Sequence, residues 1–356
     1  MKARVIENSL RNIFIGLETK VNRALGREFI PVDLGPFNIE TSSACNLKCR
    51  FCAYEKKTSP KLNMPNDMFY SCVEQAIEMG FRKFHLTPCT GDVFMDKQLF
   101  DKLAFMEAHP RIEGYHFFSN ITIPRPDQLL RLKALKKFER LTISVYGHDE
   151  ESFVAITKSP AKIYRRLLTN MATILENKAD LRFAISIGFR STFDVPAHDA
   201  SELMKMLSAY RKAGVNVHSS HGVYNNWGGS ISQADVGDLN LHIATSDSVP
   251  KNGACVKIFD SIQVMATGVV NACSCRDVDA TLRIGDIGEA PLKEILSANN
   301  PMYLQVIAEQ QEGRFRPVCE NCDYYRSIYH QPRNYRREKI PTQTIDQFIK
   351  SLSAKV

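Results

Sequence analysis

Three cysteines crowd one short stretch, Cys45-Asn-Leu-Lys-Cys49-Arg-Phe-Cys52, with the spacing C-x3-C-x2-C. Thiolates on one loop can hold three irons of a cubane iron–sulfur cluster, which takes four cysteines when the protein ligates it fully. A set of three leaves one iron open to another ligand. Zinc completed by a distant residue is the alternative that spacing alone leaves standing. A second group follows: Cys255, Cys273, Cys319 and Cys322, laid out as C…Gly-x4-C…C-x2-C with Gly268 before Cys273. Four thiolates suit an iron–sulfur cluster and a structural zinc equally well. Cys275 is a spare that could replace Cys273 as a ligand. Cys72 falls on the apolar face of a helical pattern and reads as core, and Cys89 stands alone.

The elements that must position these thiols alternate from about residue 36 to 230. Strand-like segments at 37–42, 83–88, 115–121, 141–146, 182–190 and 215–223 are separated by amphipathic helical patterns such as Met68 to Ile77 and Ile163 to Ile174. Repeated strand–helix order predicts a parallel sheet with right-handed crossovers. Both a barrel and a flat doubly wound sheet satisfy that pattern. Along each strand, side chains alternate between faces. The apolar set (Phe37, Ile39, Phe84, Leu86, Leu141, Ile143, Val145) must pack on helices. The polar set (Glu40, His85, Thr142, Ser144, Tyr146, Ser186, Arg190) then faces a lumen, where ligands must satisfy it. Glu40, His85 and Tyr146 are the lumen candidates for acid–base or donor roles.

The loop at Cys45–Cys52 follows the first predicted strand, and the aromatic Phe51 precedes its third cysteine. Both features resemble the radical S-adenosylmethionine (SAM) superfamily, whose signature is C-x3-C-x-aromatic-C. The resemblance implies a partial (β/α)6 barrel over 36–235 and a [4Fe–4S] cluster on Cys45, Cys49 and Cys52 that binds SAM. Thr90-Gly91-Asp92-Val93 stands where the family carries a Gly-Gly-Glu-Pro-like turn for the SAM amino group; the first glycine and the glutamate are changed, but Gly91 and Asp92 could still serve. Ser144 and Arg190 match the family's ribose and carboxylate contacts, and Ser119 and Asn120 end the third strand. The second cysteine group resembles the twitch form of the SPASM extension. This implies a small α+β domain over 250–326 with one auxiliary [4Fe–4S] cluster on Cys255, Cys273, Cys319 and Cys322.

The ends of the chain carry less information. Residues 1–35 read as a helical extension: Ile6, Leu10, Ile13, Leu17 and Val21 recur at helical spacing, predicting a stripe packed on the domain, with a membrane-surface helix as the lesser alternative. Residues 327–356 read as a tail, with Arg333, Arg336, Arg337 and Lys339 solvated. The net charge of +7 is mild, and no nucleic-acid motif accompanies it. Without an export signal or a long apolar run, ten cysteines point to a reducing, cytoplasmic setting and metal binding rather than disulfides. The resemblance implies one-electron cleavage of SAM to a 5′-deoxyadenosyl radical, fed by a flavodoxin- or ferredoxin-type donor. The radical then takes a hydrogen atom from the substrate. The polar lumen suits a sugar, aminocyclitol or other polyol, oxidised or epimerised. Maturation of a peptide or protein side chain is the alternative, and a zinc-bound scaffold without catalysis is a third reading. Trp227, at the end of the sixth strand, is placed either against the pocket or in the interdomain seam.

Overall fold

The computed structural model describes residues 2–33, 35–196, 199–247 and 249–353. Six strands run in chain order through one parallel sheet: β1 (Phe37–Ile39), β2 (Lys83–Leu86), β3 (Gly114–Ser119), β4 (Phe138–Tyr146), β5 (Ala184–Ser191) and β6 (Asn216–His221). Helices α2 (Asn66–Glu78), α3 (Leu99–Ala108), α4 (Pro126–Arg131), α5 (Glu150–Thr157), α6 (Ala161–Glu176) and α7 (Glu202–Lys212) fill the crossovers. Strand order never reverses, so right-handed crossovers lay every helix on the same side of the sheet. That removes the flat doubly wound alternative, which needs a reversal of order. Phe84, Leu86, Leu141, Ile143 and Val145 pack toward the helices and are fully buried. The polar partners on the other face are left to a cavity.

The sheet does not end at β1. Its free edge pairs in parallel with β7 (Gln263–Val264), which continues antiparallel to β8 (Val269–Asn271) and β9 (Arg283–Asp286). The C-terminal unit thereby joins the barrel in one nine-stranded sheet. Helix α8 (Pro301–Gln311) packs on this unit through Tyr303, Val306 and Ile307.

The lumen reading of Glu40 does not hold. The β1 ladder stops at Ile39, and the next amide, Glu40 N–H, donates to Val264 O at 2.8 Å. Its carboxylate is buried against Lys57 Nζ at 3.2 Å and the Ala266 amide at 3.1 Å. Burial pushes the Glu40 carboxyl up, against the pull of Lys57. Glu40 therefore pins the barrel to the C-terminal hairpin.

Residues 327–356 form more than a tail. Thr342–Gln343 pairs antiparallel with Ile30–Pro31. The helix α10 (Ile345–Ser353) buries Phe348 and Leu352 in the core. The short α9 (Arg333–Glu338) precedes it and keeps Arg333, Arg336 and Arg337 exposed, as expected.

Helix α1 (Lys2–Ala24) forms as its periodicity predicts but presents the opposite face to the protein. Thr19 and Asn22 are the buried residues; Asn22 Nδ2 donates to Tyr329 O at 2.8 Å, and Gly16 approaches Pro250 closely. Ile13, Phe14, Leu17 and Val21 are 57–69% exposed. The side chains of Ile6 and Leu10 lie outside the described residues.

Candidate functional site

A cavity of about 890 Å³ opens at the C-terminal ends of the parallel strands. Cys45, Cys49 and Cys52 all line it, on the loop after β1. Burial pushes the Cys45 thiol up to about 12 and raises Cys49 and Cys52, with Asp92 adding to the shift at Cys45 and Arg190 opposing it at Cys49 and Cys52. Phe51 wedges this loop in place. It stacks on Tyr224 at 4.9 Å and meets Tyr146 at 5.2 Å, while Trp227 Nε1 donates to Phe51 O at 2.8 Å. Trp227 thus lines the cavity, braces the cysteine loop, and carries Arg276 of the C-terminal unit over its ring at 5.6 Å, so pocket and seam meet at this residue.

The turn after β2 packs tightly on the same loop. Gly91 has φ +96°, and a Cβ there would fall 2.3 Å from Ser42 O, so only glycine lets the two backbones meet. Asp92 lines the cavity, but its carboxylate is already occupied. It accepts from Phe94 N at 3.0 Å, Ser119 Oγ at 3.0 and 3.1 Å, and Asn120 N at 2.8 Å. Burial raises its carboxyl to about 6. Ser119 is committed likewise, accepting from Ile121 N at 2.9 Å. Asn120 Nδ2 faces Cys45 Sγ at 3.8 Å and Asn46 Oδ1 at 3.1 Å, while its Oδ1 accepts from Thr122. The expected cofactor contacts Asp92, Ser119 and Asn120 thus form a bracing network that ends on a cysteine sulfur. Three donors, the amides of Phe94 and Asn120 and the single hydroxyl proton of Ser119, already engage a carboxylate that offers about four lone-pair positions, so Asp92 is largely committed to its own turn and to β3.

Other groups do remain available. Thr90 Oγ1 and His85 Nε2 are buried without a hydrogen-bond partner, and both residues line the cavity. Thr90 is a candidate that pattern reading passed over. His85 stacks on His116 at 4.2 Å, and burial holds its imidazole well below the usual range, so it is neutral. Ser144, Tyr146 and Arg190 line the cavity from adjoining strands, with Tyr146 and Arg190 in register. Arg190 sits over the Phe51 ring at 5.8 Å, and among the described residues no carboxylate pairs with it. Three non-glycine residues around this region, Thr87, Ile121 and Trp227, hold φ near +50°, a strain of about 1–3 kcal/mol each that the surrounding packing must maintain.

The second cysteine group encloses its own small cavity, walled by Cys255, Cys273, Cys275, Cys319 and Cys322. Four of these sulfurs already receive N–H groups: Cys255 from Arg326 N at 3.4 Å, Cys273 from Cys275 N at 3.4 Å, Cys319 from Gln310 Nε2 at 3.3 Å and Cys322 from Tyr324 N at 3.3 Å. Such donors stabilise thiolates and tune the metal they bind. Cys275 differs: its sulfur faces the Arg276 guanidinium at 3.5 Å, and it lines both cavities, as do Lys257, Arg276 and Tyr324. Among the described residues no three His, Cys, Asp or Glu side chains converge on a single-ion site. Thiols set around a space suit a multi-iron cluster better than one zinc ion. Cys72 is core, as expected, and Cys89 lines the main cavity.

Comparison with known families decides what these thiols serve. Residues 39–190 match the model of the radical SAM superfamily. The chain carries a radical SAM domain. Its C-terminal residues 255–323 match the iron–sulfur cluster-binding SPASM domain. A radical SAM enzyme of this build uses a [4Fe–4S] cluster, an auxiliary cluster and SAM. Its fold is similar to that of native anSMEcpe with bound AdoMet and Kp18Cys peptide (15% identity, 89% of this chain and 95% of that one, TM-score 0.50). BtrN in complex with AdoMet and 2-DOIA aligns at 15% identity over 81% and 92% of the two chains, TM-score 0.49. SuiB of Streptococcus suis bound to S-adenosylmethionine aligns at 12% over 83% and 75%, TM-score 0.48. No curated protein sequence matches the chain. No described helix is long and apolar enough to cross a membrane.

Apart from Trp227, several residues that line the main cavity from outside both matched segments were not singled out as site residues by the sequence reading. They include Asp33 and Gly35 from the N-terminal side and Tyr335, Lys339 and Pro341 from the C-terminal side. Their short elements carry no periodicity, and only the distant pairing of Ile30–Pro31 with Thr342–Gln343 brings them to the rim.

Proposed function

We propose that the protein removes a hydrogen atom from a small polyhydroxylated molecule, a sugar, aminocyclitol or related polyol, and oxidises the carbon to a carbonyl. The observation that carries this reading is His85, a cavity-lining residue whose neutral imidazole leaves its Nε2 buried and without a hydrogen-bond partner. An unsatisfied buried polar atom costs about 1–3 kcal/mol, which a substrate hydroxyl would return by bonding there. Cavity size supports the same reading. Small-ligand pockets span roughly 300–1,000 Å³, and about 890 Å³ shared between SAM and substrate suits a small molecule.

When bound, the first cluster and SAM supply one-electron cleavage of SAM to a 5′-deoxyadenosyl radical, and the auxiliary cluster supplies an electron acceptor. Cys45, Cys49 and Cys52 hold the first cluster; Cys255, Cys273, Cys319 and Cys322 hold the second. Arg190, an unpaired cation beside Cys49 and Cys52, binds the SAM carboxylate through its fork of donors. Thr90 Oγ1 accepts from the SAM ammonium, the role first expected of Asp92. Gly91 lets the backbone approach, and Ser144 meets the ribose. Asp92, Ser119 and Asn120 are positioning residues, and Phe51 and Tyr146 wall the site. Lys257, Cys275, Arg276 and Tyr324 border both cavities, so the auxiliary-cluster cavity and the substrate space share a wall, which favours oxidation over epimerisation.

The test is substrate-dependent formation of 5′-deoxyadenosine by the reduced, reconstituted enzyme across nucleotide sugars, aminocyclitols and polyols. A product lacking two hydrogens supports oxidation. An isomer of unchanged mass replaces oxidation with epimerisation. Silence across the panel, together with a mass-shifted peptide on coexpression, would overturn the small-molecule reading in favour of peptide maturation.

A further inference from the structure

Helix α1 is amphipathic in the inverted sense, and nothing in the catalytic site uses it. Its polar and small residues face the protein. Glu18 meets His330 Nδ1 at 2.7 Å, Arg23 bonds Asn252 Oδ1 at 2.7 Å and Gln311 O at 2.5 Å, and Asn22 is tied to Tyr329. These contacts fix the helix orientation, so the exposed stripe of Ile13, Phe14, Leu17 and Val21 is held outward, and exposed Leu25 follows it. Leaving a run of large apolar side chains in water forgoes burial of about 1.5–3 kcal/mol each. A contiguous patch of this kind marks a surface that something else covers.

Charge indicates what covers it. At 100° per residue, exposed Lys20 lies at one edge of the stripe; at the other, exposed Arg11 lies just beyond Glu18, whose carboxylate is bonded to His330. The exposed Arg333, Arg336 and Arg337 of α9 begin three residues after His330, which is bonded to Glu18 of α1. They start within about 11 Å of that contact along the chain. An apolar stripe bordered by cations is the pattern of a helix lying in a lipid interface, with its apolar face among acyl chains and its cations at anionic headgroups.

We propose that α1 docks the protein on an anionic membrane surface through Ile13, Phe14, Leu17, Val21 and Leu25. Each immersed apolar side chain strengthens partitioning by about tenfold, and each flanking cation near an anionic surface by about fivefold.

The test is flotation of anaerobically reconstituted protein with vesicles of phosphatidylcholine alone and of phosphatidylcholine with phosphatidylglycerol. Binding to the anionic vesicles, weakened by salt, is expected. Phe14→Ser with Leu17→Ser should weaken it about a hundredfold while leaving the iron content and circular dichroism unchanged. Arg11→Gln with Lys20→Gln, which spares the apolar face, should remove most of the preference for anionic vesicles. A parent protein that ignores both vesicles would overturn the proposal, as would an apolar double variant that binds like the parent. Light scattering supplies the third refutation: a parent dimer that the apolar double variant splits into monomers, without vesicle binding, assigns the face to a second copy of the chain.

Discussion

Replacing Lys57 by methionine removes the one cation that, among the described residues, bonds the buried Glu40 carboxylate, while keeping the length of the side chain. Both side chains are about 1% exposed, and the bond is 3.2 Å. The remaining partner of Glu40 is one amide, Ala266 N–H, at 3.1 Å. Breaking one side of such a pair costs about 3–5 kcal/mol, because the surviving charge stays desolvated. The loss has a pH signature. Burial already raises the Glu40 carboxyl, and without Lys57 it rises further, so the folded variant binds a proton more tightly than the unfolded chain does. Stability then falls as pH rises from the unfolded value through the folded one. The Lys57→Met deficit should therefore be smallest near pH 5 and grow toward pH 8. Adding Glu40→Gln, whose side-chain oxygen still accepts from Ala266 N–H, should recover most of the loss. Denaturant unfolding of parent, both single variants and the double variant, at those two pH values, measures all of this as a double-mutant cycle. A Lys57→Met cost below about 1 kcal/mol at pH 8, or a double variant no better than the single one, would refute the pinning role of Glu40.

Three further outcomes follow from the site. Anaerobic reconstitution should give about eight irons per chain, about four in the Cys45/Cys49/Cys52→Ala triple variant, and no loss in Cys275→Ala; iron and sulfide analysis checks this. Thr90→Val should weaken SAM binding by about tenfold, the equivalent of one lost buried hydrogen bond, with unchanged iron content, read by calorimetry on the loaded protein. Gly91→Ala should cost most of the first cluster, because its Cβ would fall 2.3 Å from Ser42 O; iron content would drop toward that of the triple variant.

Alternation along β4 and β5 located the cavity-lining side chains only near the C-terminal ends of the two strands; Thr142 and Ser186, set on the same face further back, do not line the cavity. Ser144, Tyr146 and Arg190 all fall where the period of two sets them. The same rule failed at Glu40 for a physical reason. The β1 ladder ends one residue earlier, so the period stops applying and the side chain turns toward the C-terminal hairpin. Asp92 illustrates a different limit: its residue type fits an ammonium, but the nearby Phe94 amide caps it locally and Ser119 and Asn120, from a distant stretch of chain, also bond its carboxylate. For α1 the helical period identified an apolar stripe but carried no information on which face meets the protein. That depended on single long-range bonds such as Asn22 to Tyr329. Thr90 gave no signal at all, since an unpartnered hydroxyl is a property of the surroundings.

The parallel pairing of β7 with β1 also bears on how the chain can be made and divided. On the ribosome, β1 emerges more than two hundred residues before the strand that covers its outer edge. Throughout that interval the nascent barrel carries an open ladder of unpaired N–H and C=O groups, the kind of edge that recruits foreign strands. A fragment ending after β6 would keep that edge for its whole lifetime. The boundary between the two matched segments is thus not a boundary of assembly. A chimera that exchanges the C-terminal unit must carry a strand matched to Asn38 and Ile39, or it will inherit a barrel that aggregates from its first strand.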